Sequence, residues 1–178
     1  RGLGISMEYI QGTELADWMK DNQGRLLATA QLRLDLLRTL FDALAHAHEH
    51  TLHRDIKPQN IMLVDGDIKR PKMMDFGFAL PHEDDRQEGF VVGTPRYMPQ
   101  EQYLEPDKVK PSADIYAMGV IAYQLFTSRD PPTTLRHTKT AEQVLALRMN
   151  LDDIPRPSQF CAVVPPALDE LIVQWLAF

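Results

Sequence analysis

The 178-residue sequence predicts an α+β domain that is mainly α-helical and carries one small β-hairpin. Two patterns predict helices: apolar residues recur at three- and four-residue steps over 29–50, and residues 114–126 are apolar nearly all round. Between these two helices, the tight-turn dipeptide Asp65-Gly66 separates the short apolar run 61–64 from the strand-like run 72–74. The length fits one ordinary domain with its own hydrophobic core.

The composition indicates which partners and which cellular setting to expect. A formal net charge of −6 gives no basic footprint for nucleic acid, so we expect no nucleic-acid partner. The longest apolar run, near 117–126, is too short for a membrane span, and we expect none in this chain. The single cysteine, Cys161, cannot form an internal disulfide, which favours a reducing, cytoplasmic setting, and we interpret it as a core residue.

The N-terminal residues predict a strand over 4–10, which ends at a Gln-Gly turn signal. Thr13 then fits the N-cap of a short helix over 13–20. The long helix over 29–50 follows. Its predicted buried face consists of Leu32, Leu36, Leu37, Leu40, Leu44 and Ala47.

Three histidines, His46, His48 and His50, lie at the end of the long helix and raise the question of a metal site. A two-residue spacing turns successive side chains by about 200° on a helix, so the three rings do not converge on one ion. Interaction of the imidazoles with the helix C-terminus explains them more simply, and we assign no metal there.

The C-terminal part predicts a helix over 141–150 and, after a proline-rich loop, a last amphipathic helix. Its apolar face is predicted to consist of Leu168, Leu171, Ile172, Trp175 and Leu176. Both helices have ordinary core patterning and suggest no chemistry.

The chemistry is concentrated in residues 53–60, where a carboxylate, a cation and an amide stand at fixed offsets. Transfer of the terminal phosphate of ATP to a hydroxyl needs a carboxylate to accept the proton, a cation on the phosphoryl oxygens and an oxygen ligand for magnesium. Asp55, Lys57 and Asn60 supply these three groups. The alternative is a basic surface loop whose aspartate caps a helix; the combined spacing favours phosphotransfer.

The stretch 53–60 resembles the catalytic loop of protein kinases. By that resemblance Asp55 is the catalytic base, Lys57 steadies the transferred phosphate and Asn60 holds a metal ion. Asp75-Phe76-Gly77 resembles the metal-binding triplet of the same family, which implies that Asp75 is the second magnesium ligand and part of the nucleotide site.

Residues 1–12 resemble the hinge strand of protein kinases. This resemblance implies that Glu8 and Ile10 bind adenine through their main chains and that Glu14 reaches the ribose. It also implies that Met62 belongs to the nucleotide site.

Residues 75–101 resemble the activation segment, in which Thr94 would pack against the catalytic aspartate and lysine. The usual Ala-Pro-Glu of the family stands here as Pro99-Gln100-Glu101, which changes two of its three positions. In the family, the helix that starts at Asp114 uses this aspartate to accept backbone N–H bonds from the catalytic loop. The alternative for Asp114 is a simple N-cap.

The activation segment has no Ser, Thr or Tyr between Asp75 and Gly93. In the family, the arginine that precedes the catalytic aspartate, here Arg54, often meets a phosphate on this segment. We therefore hypothesise that a carboxylate meets Arg54 instead, or else that the acidic run is only a solvated face. The candidate carboxylates are Glu83, Asp84, Asp85 and Glu88.

The resemblance covers nearly the whole chain and implies a protein-kinase-like fold that acts on a serine or threonine hydroxyl of a protein with ATP and Mg²⁺. No glycine-rich phosphate loop or strand lysine precedes Met7, so we expect residues 1–178 to be the C-terminal lobe only, from the hinge to the penultimate helix. We then expect negligible transfer without an N-terminal lobe as partner. The alternative is a kinase-derived binding or scaffolding module without catalysis.

Overall fold

The computed structural model describes residues 7–23, 26–76, 94–134 and 154–177. Within these ranges a small antiparallel sheet lies against a larger helical body, the mainly helical α+β architecture that the sequence predicts. The elements, in chain order, are β1 (Gly12–Glu14), α1 (Leu15–Asp21), α2 (Leu26–Ala47), β2 (Ile61–Val64), β3 (Pro71–Met73), α3 (Gln100–Leu104), α4 (Pro111–Thr127) and α5 (Pro166–Leu176).

The sheet has the order β1-β2-β3, with all neighbours antiparallel. In the central strand, Leu63 pairs with Thr13 on one side and with Pro71 on the other. Asp65 and Gly66 both have positive φ, at 54° and 76°, which is the backbone conformation of a tight hairpin turn. The turn signal in the sequence is therefore confirmed, and the return strand begins at Pro71, one residue earlier than predicted.

The strand predicted over 4–10 is wrong for the residues that can be compared. Residues 7–10 are irregular, and 4–6 lie outside the described ranges. The first strand is β1, which begins at the Gly12 that the sequence placed in a turn. A Cβ at Gly12 would stand 2.1 Å from the carbonyl oxygen of Leu63, so only glycine permits β1 to approach β2 this closely.

The first two helices begin and end at other residues than predicted. Thr13 belongs to β1, and the N-cap of α1 is Glu14, because pairing with Leu63 keeps Thr13 extended. Helix α2 starts earlier and ends at Ala47 instead of near 50. Its core contribution matches the prediction for four leucines, Leu36, Leu37, Leu40 and Leu44, whereas Leu32 and Ala47 are only partly buried.

Helix α4 forms the centre of the molecule and is buried nearly all round, as its apolar sequence predicts. It packs closely against α5, since a Cβ at Gly119 would come within 2.9 Å of the Cβ of Trp175. Helix α2 joins them through Phe41, whose ring centroid is 4.6 Å from that of Trp175. Cys161 lies in the same core, as expected.

The last helix differs from its prediction in one residue. Leu171 is 43% exposed, because the buried stripe of α5 runs through Asp169, Ile172 and Leu176, and Leu171 points away from it. The helix predicted over 141–150 lies outside the described residues. Among the described helices, none combines the length and the apolar character that crossing a membrane requires.

Candidate active site

The carboxylate of Asp55 is the centre of the candidate site. Its Oδ2 accepts hydrogen bonds from Lys57 Nζ at 2.6 Å and from Asn60 Nδ2 at 3.1 Å. Its Oδ1 accepts from the backbone N–H and the hydroxyl of Thr94, both at 3.2 Å. Lys57 Nζ also donates to Thr94 Oγ1 at 3.1 Å. The four residues with predicted catalytic roles therefore meet at one half-buried carboxylate.

The backbone before Asp55 is held by the core helix α4. Asp114, only 1% exposed, accepts the N–H groups of His53 at 2.9 Å and Arg54 at 2.8 Å. Gln102 of α3 adds a bond to the Arg54 carbonyl at 2.6 Å. Arg54 has a φ of 66°, a left-handed conformation that costs a non-glycine residue about 1–2 kcal/mol. These bonds to buried groups stabilise that conformation and fix where Asp55 points.

The two interpretations of Asp114 can now be separated. Helix α4 starts at Pro111 and its N-cap is Lys110, so Asp114 lies inside the first turn and the N-cap alternative is wrong. The bonds to His53 and Arg54 are those that the kinase resemblance implies.

Sequence reasoning missed the role of His48. Its Nε2 lies 2.9 Å from Asp114 Oδ2, so it adds a third contact to the carboxylate that holds the catalytic loop. Helix α2 has already ended at Ala47, and the other two histidines, His46 and His50, are exposed. No pattern in the sequence could reveal this pair, because the two residues are 66 positions apart.

The buried ring of His53 packs on the partly buried ring of Phe76, with centroids 4.5 Å apart. Within the described part of the chain, neither ring nitrogen of His53 has a hydrogen-bond partner. Burial lowers the pKa of His53, and the charges of Asp114 and Asp55 oppose that shift. A neutral His53 ring thus packs on the residue that follows Asp75.

Asn60 precedes β2 and Asp75 follows β3 by two residues, so both lie at the same end of the hairpin. The N–H of Met74 donates to the carbonyl of Asn60 at 2.9 Å, which places Asp75 next to Asn60. The carboxylate of Asp75 is exposed and has no hydrogen bond within the described ranges. Asn60 uses its Nδ2 on Asp55, which leaves its Oδ1 as an acceptor.

These two side chains fit a magnesium site. Mg²⁺ takes one or two protein oxygens and completes its shell with phosphate oxygens and water. The described residues contain no group of three or more His, Cys, Asp or Glu that could enclose an ion by themselves. The chemistry of these two side chains therefore suits a metal–nucleotide complex that brings the remaining oxygen ligands itself.

The residues with a predicted nucleotide role follow the sheet away from Asn60. Glu14 pairs with Met62 in the strand register, and Met62 also pairs with Lys72. Lys72 Nζ in turn donates to Glu8 Oε1 at 2.6 Å, in an exposed ion pair. Residues at paired positions share a face of the sheet, so Glu8, Glu14 and Met62 lie along one surface, and Ile10 precedes β1 at its edge.

Part of the predicted activation segment cannot be placed. Gly77 and the acidic residues Glu83, Asp84, Asp85 and Glu88 lie outside the described residues. The hypothesis that one of these carboxylates meets Arg54 stays a prediction.

Residues 2–177 match the protein kinase domain family. The chain belongs to the eukaryotic-like serine/threonine protein kinases. Its match to the family extends over nearly every described element, from β1 to α5.

Similar curated proteins are kinases by name. The chain is 38% identical to the serine/threonine-protein kinase Pkn1 of Myxococcus xanthus, over 97% of this chain and 24% of that protein. It is 34% identical to the serine/threonine-protein kinase PknL of Mycobacterium tuberculosis, over 94% of this chain and 40% of the relative. It is 32% identical to human myosin light chain kinase family member 4, over 84% of this chain and 38% of that protein. This kinase chain thus spans less than half the length of these relatives.

Proposed function

We propose that this kinase, together with an N-terminal lobe as partner, transfers the γ-phosphate of ATP, with magnesium, to a serine or threonine hydroxyl of a protein substrate. The observation that carries the proposal is the convergence of Lys57, Asn60 and Thr94 on the carboxylate of Asp55. That carboxylate is fixed, about one-fifth exposed and open to the surface, as an acceptor for a substrate hydroxyl must be.

Each residue of the cluster has a role in the transfer. Asp55 accepts the hydrogen bond of the substrate hydroxyl, orients its oxygen towards the γ-phosphorus and takes its proton. A new oxygen–phosphorus bond then forms as the bond from phosphorus to the bridging oxygen of ADP breaks. Lys57 stands beside Asp55 and places its positive charge where the transferred phosphoryl oxygens pass. Thr94 holds both Asp55 and Lys57 in place.

The nucleotide side of the site is assigned to the sheet. Asn60 and Asp75 would hold magnesium, which neutralises charge on the phosphate oxygens of ATP. The main chains of Glu8 and Ile10 would bind adenine, Glu14 would reach the ribose and Met62 would line the base pocket. The strand register supports this assignment, because β1, which follows the hinge residues, pairs with β2, which follows Asn60.

A non-catalytic scaffold is the weaker candidate. Such a module would not need Asp55, Lys57, Asn60 and Asp75, yet all four are retained. Three of them also keep a geometry suited to proton transfer.

The test is the isosteric change Asp55→Asn in the intact protein, with Asp42→Asn on the exposed face of α2 as the matched control. An amide cannot accept the proton, so kcat should fall by about 10²–10⁴-fold. The measurement is transfer of labelled γ-phosphate to a library of serine and threonine peptides, with thermal unfolding to verify the fold. Wild-type turnover by Asp55→Asn would contradict the proposal, and so would an equal loss in Asp42→Asn.

A further inference from the structure

A groove with a cavity of about 170 Å³ lies directly beside the catalytic loop. One wall contains Pro58 and Gln59, which stand between Lys57 and Asn60 in the chain. Another wall contains Arg96, two residues after Thr94, and α1 and the end of α4 complete the groove. The groove is therefore lined by residues that directly follow the catalytic Lys57 and lie two positions after Thr94 in the chain.

The lining of this groove is strongly positive, although the chain as a whole carries a net charge of −6. Four of its described lining residues are cations and one is a carboxylate. These are Lys20, Arg33, Arg96, Arg129 and Asp130. The charge of the groove is thus opposite in sign to that of the molecule that surrounds it.

The one carboxylate in the described lining is already engaged. Arg96 Nε donates to Asp130 Oδ1 at 2.9 Å, and Gln124 Nε2 donates to the same oxygen at 2.8 Å. The side chain of Asp130 is 10% exposed. Asp130 therefore neutralises Arg96 and presents little negative charge to a ligand.

Among the described residues, the other exposed cations of the groove have no carboxylate partner. Within the described ranges, neither Lys20 nor Arg129 has a carboxylate oxygen within 4.0 Å. Arg129 instead lies over the ring of Phe160, 4.6 Å from its centroid, and it is an exposed residue of the groove lining. Arg33 is buried and its guanidinium is already bonded to neutral oxygens, so the exposed cations Arg129 and Lys20 are the ones that face a ligand.

We propose that this groove binds an acidic side chain of the protein substrate, an aspartate or a glutamate near the phosphorylated hydroxyl. The inference rests on the proposed phosphotransfer and adds the class of substrate to it. A carboxylate in the groove would meet the unpaired charges of Arg129 and Lys20, whereas a lysine or arginine there would meet like charges. Arg129 and Lys20 are therefore the specificity-determining residues.

The test compares three peptides that share one acceptor serine and differ at a single neighbouring position, which carries Asp, Asn or Lys. The intact protein is assayed with peptide sets in which this position is moved, one residue at a time, through the few residues on either side of the serine. We expect the Asp peptide to have a kcat/KM about tenfold above the Asn peptide at the best position, mainly through a lower KM. The preference should weaken as ionic strength rises, because the groove is open to solvent.

The decisive variant is Arg129→Glu, with Lys69→Glu on the exposed hairpin loop as the charge-matched control. Arg129→Glu should lower the ratio of kcat/KM for the Asp peptide over the Asn peptide about tenfold, and Lys69→Glu should leave this ratio unchanged. Binding of the same peptides to the nucleotide-loaded protein, measured by fluorescence anisotropy, gives a readout that does not need turnover.

The outcomes separate the two proposals. Transfer with no acidic preference, or with a preference that Arg129→Glu does not reduce, would overturn the inference about the groove. Absence of transfer to every peptide, together with Arg129-dependent binding of the Asp peptide, would overturn the phosphotransfer proposal and support the acidic groove.

Discussion

At the scale of single residues, His53 has the least ordinary environment in the catalytic loop. Its ring is 1% exposed, packs on Phe76 and lacks a hydrogen-bond partner for either nitrogen within the described residues. Burial of this kind disfavours the protonated ring and lowers its pKa, against the pull of Asp114 and Asp55. The neutral ring contributes to packing, and its protonation would oppose folding.

This environment predicts a pH dependence of stability. The ordinary pKa of about 6.5 applies in the unfolded chain and a lower pKa in the folded one, so the unfolded state binds a proton first. The free energy of unfolding should be highest above about pH 6.5 and should fall as the pH drops through that value. His53→Phe keeps the ring contact and removes the proton. The fall measured by urea unfolding between about pH 7.5 and about pH 5 should shrink, by up to about 1.4 kcal/mol per pH unit.

The control for this measurement is His46→Phe, on the exposed face of α2. It should keep the wild-type pH dependence. If His53→Phe and the wild type lose the same free energy over this range, His53 does not carry the effect.

The residue scale also shows which parts of the site a sequence reveals. Asp55, Lys57 and Asn60 were predicted because their offsets are short and each residue type has one clear use in phosphotransfer. Gln102 and His48 were missed because they act on residues 48 and 66 positions away, and such contacts leave no local pattern. The predicted roles of all these site residues stay predictions. This holds for Asp55, Lys57, Asn60, Thr94 and Asp75 in phosphotransfer and for Glu8, Ile10, Glu14 and Met62 in nucleotide binding.

At the scale of elements, α4 was the easiest helix to predict and β1 the hardest. A helix that is apolar all round must be buried, and this one is. β1 is only three residues long, and its position is set by pairing with β2, about fifty residues later in the chain. The sequence alone placed a strand nearby but could not provide that register.

The close contact of α4 with α5 predicts the effect of Gly119→Ala. Alanine is the better helix former by about 1 kcal/mol, so without a neighbour the change would stabilise the protein. Its Cβ would, however, stand 2.9 Å from the Cβ of Trp175, and the two helices would have to separate. We expect a net loss of about 1–3 kcal/mol in the free energy of unfolding, measured by urea denaturation. A gain in stability would show that α4 and α5 can accommodate the added methyl group without separating.

At the scale of the whole molecule, Arg33 of α2 connects three helices. Its guanidinium donates to Thr29 Oγ1 and to the Asn22 carbonyl, both at 2.9 Å, and to the Leu125 carbonyl. Asn22 is the C-cap of α1, and Leu125 lies in the last turn of α4. The C-terminal ends of two helices, which carry partial negative charge, therefore meet the buried Arg33 cation. They compensate its positive charge without an ion pair.

Replacement of Arg33 by lysine should show how much of the fold depends on this connection. Lysine keeps the charge but cannot span three acceptors in fixed directions. We expect Arg33→Lys to lower the free energy of unfolding by about 2–3 kcal/mol in urea denaturation. Arg38→Lys, an exposed change on the same helix, should cost almost nothing. Equal stability of the two variants would mean that the three helices hold together without the guanidinium.

The bond of Asp114 to the backbone of the catalytic loop has a consequence for how this domain tolerates change. The backbone of His53 and Arg54 is held by hydrogen bonds to Asp114, which belongs to the deeply buried helix α4. We therefore expect substitutions that loosen the packing around α4 to lower the rate of the proposed phosphotransfer before they unfold the protein. A change in the interior is therefore also a change in the support of the catalytic loop.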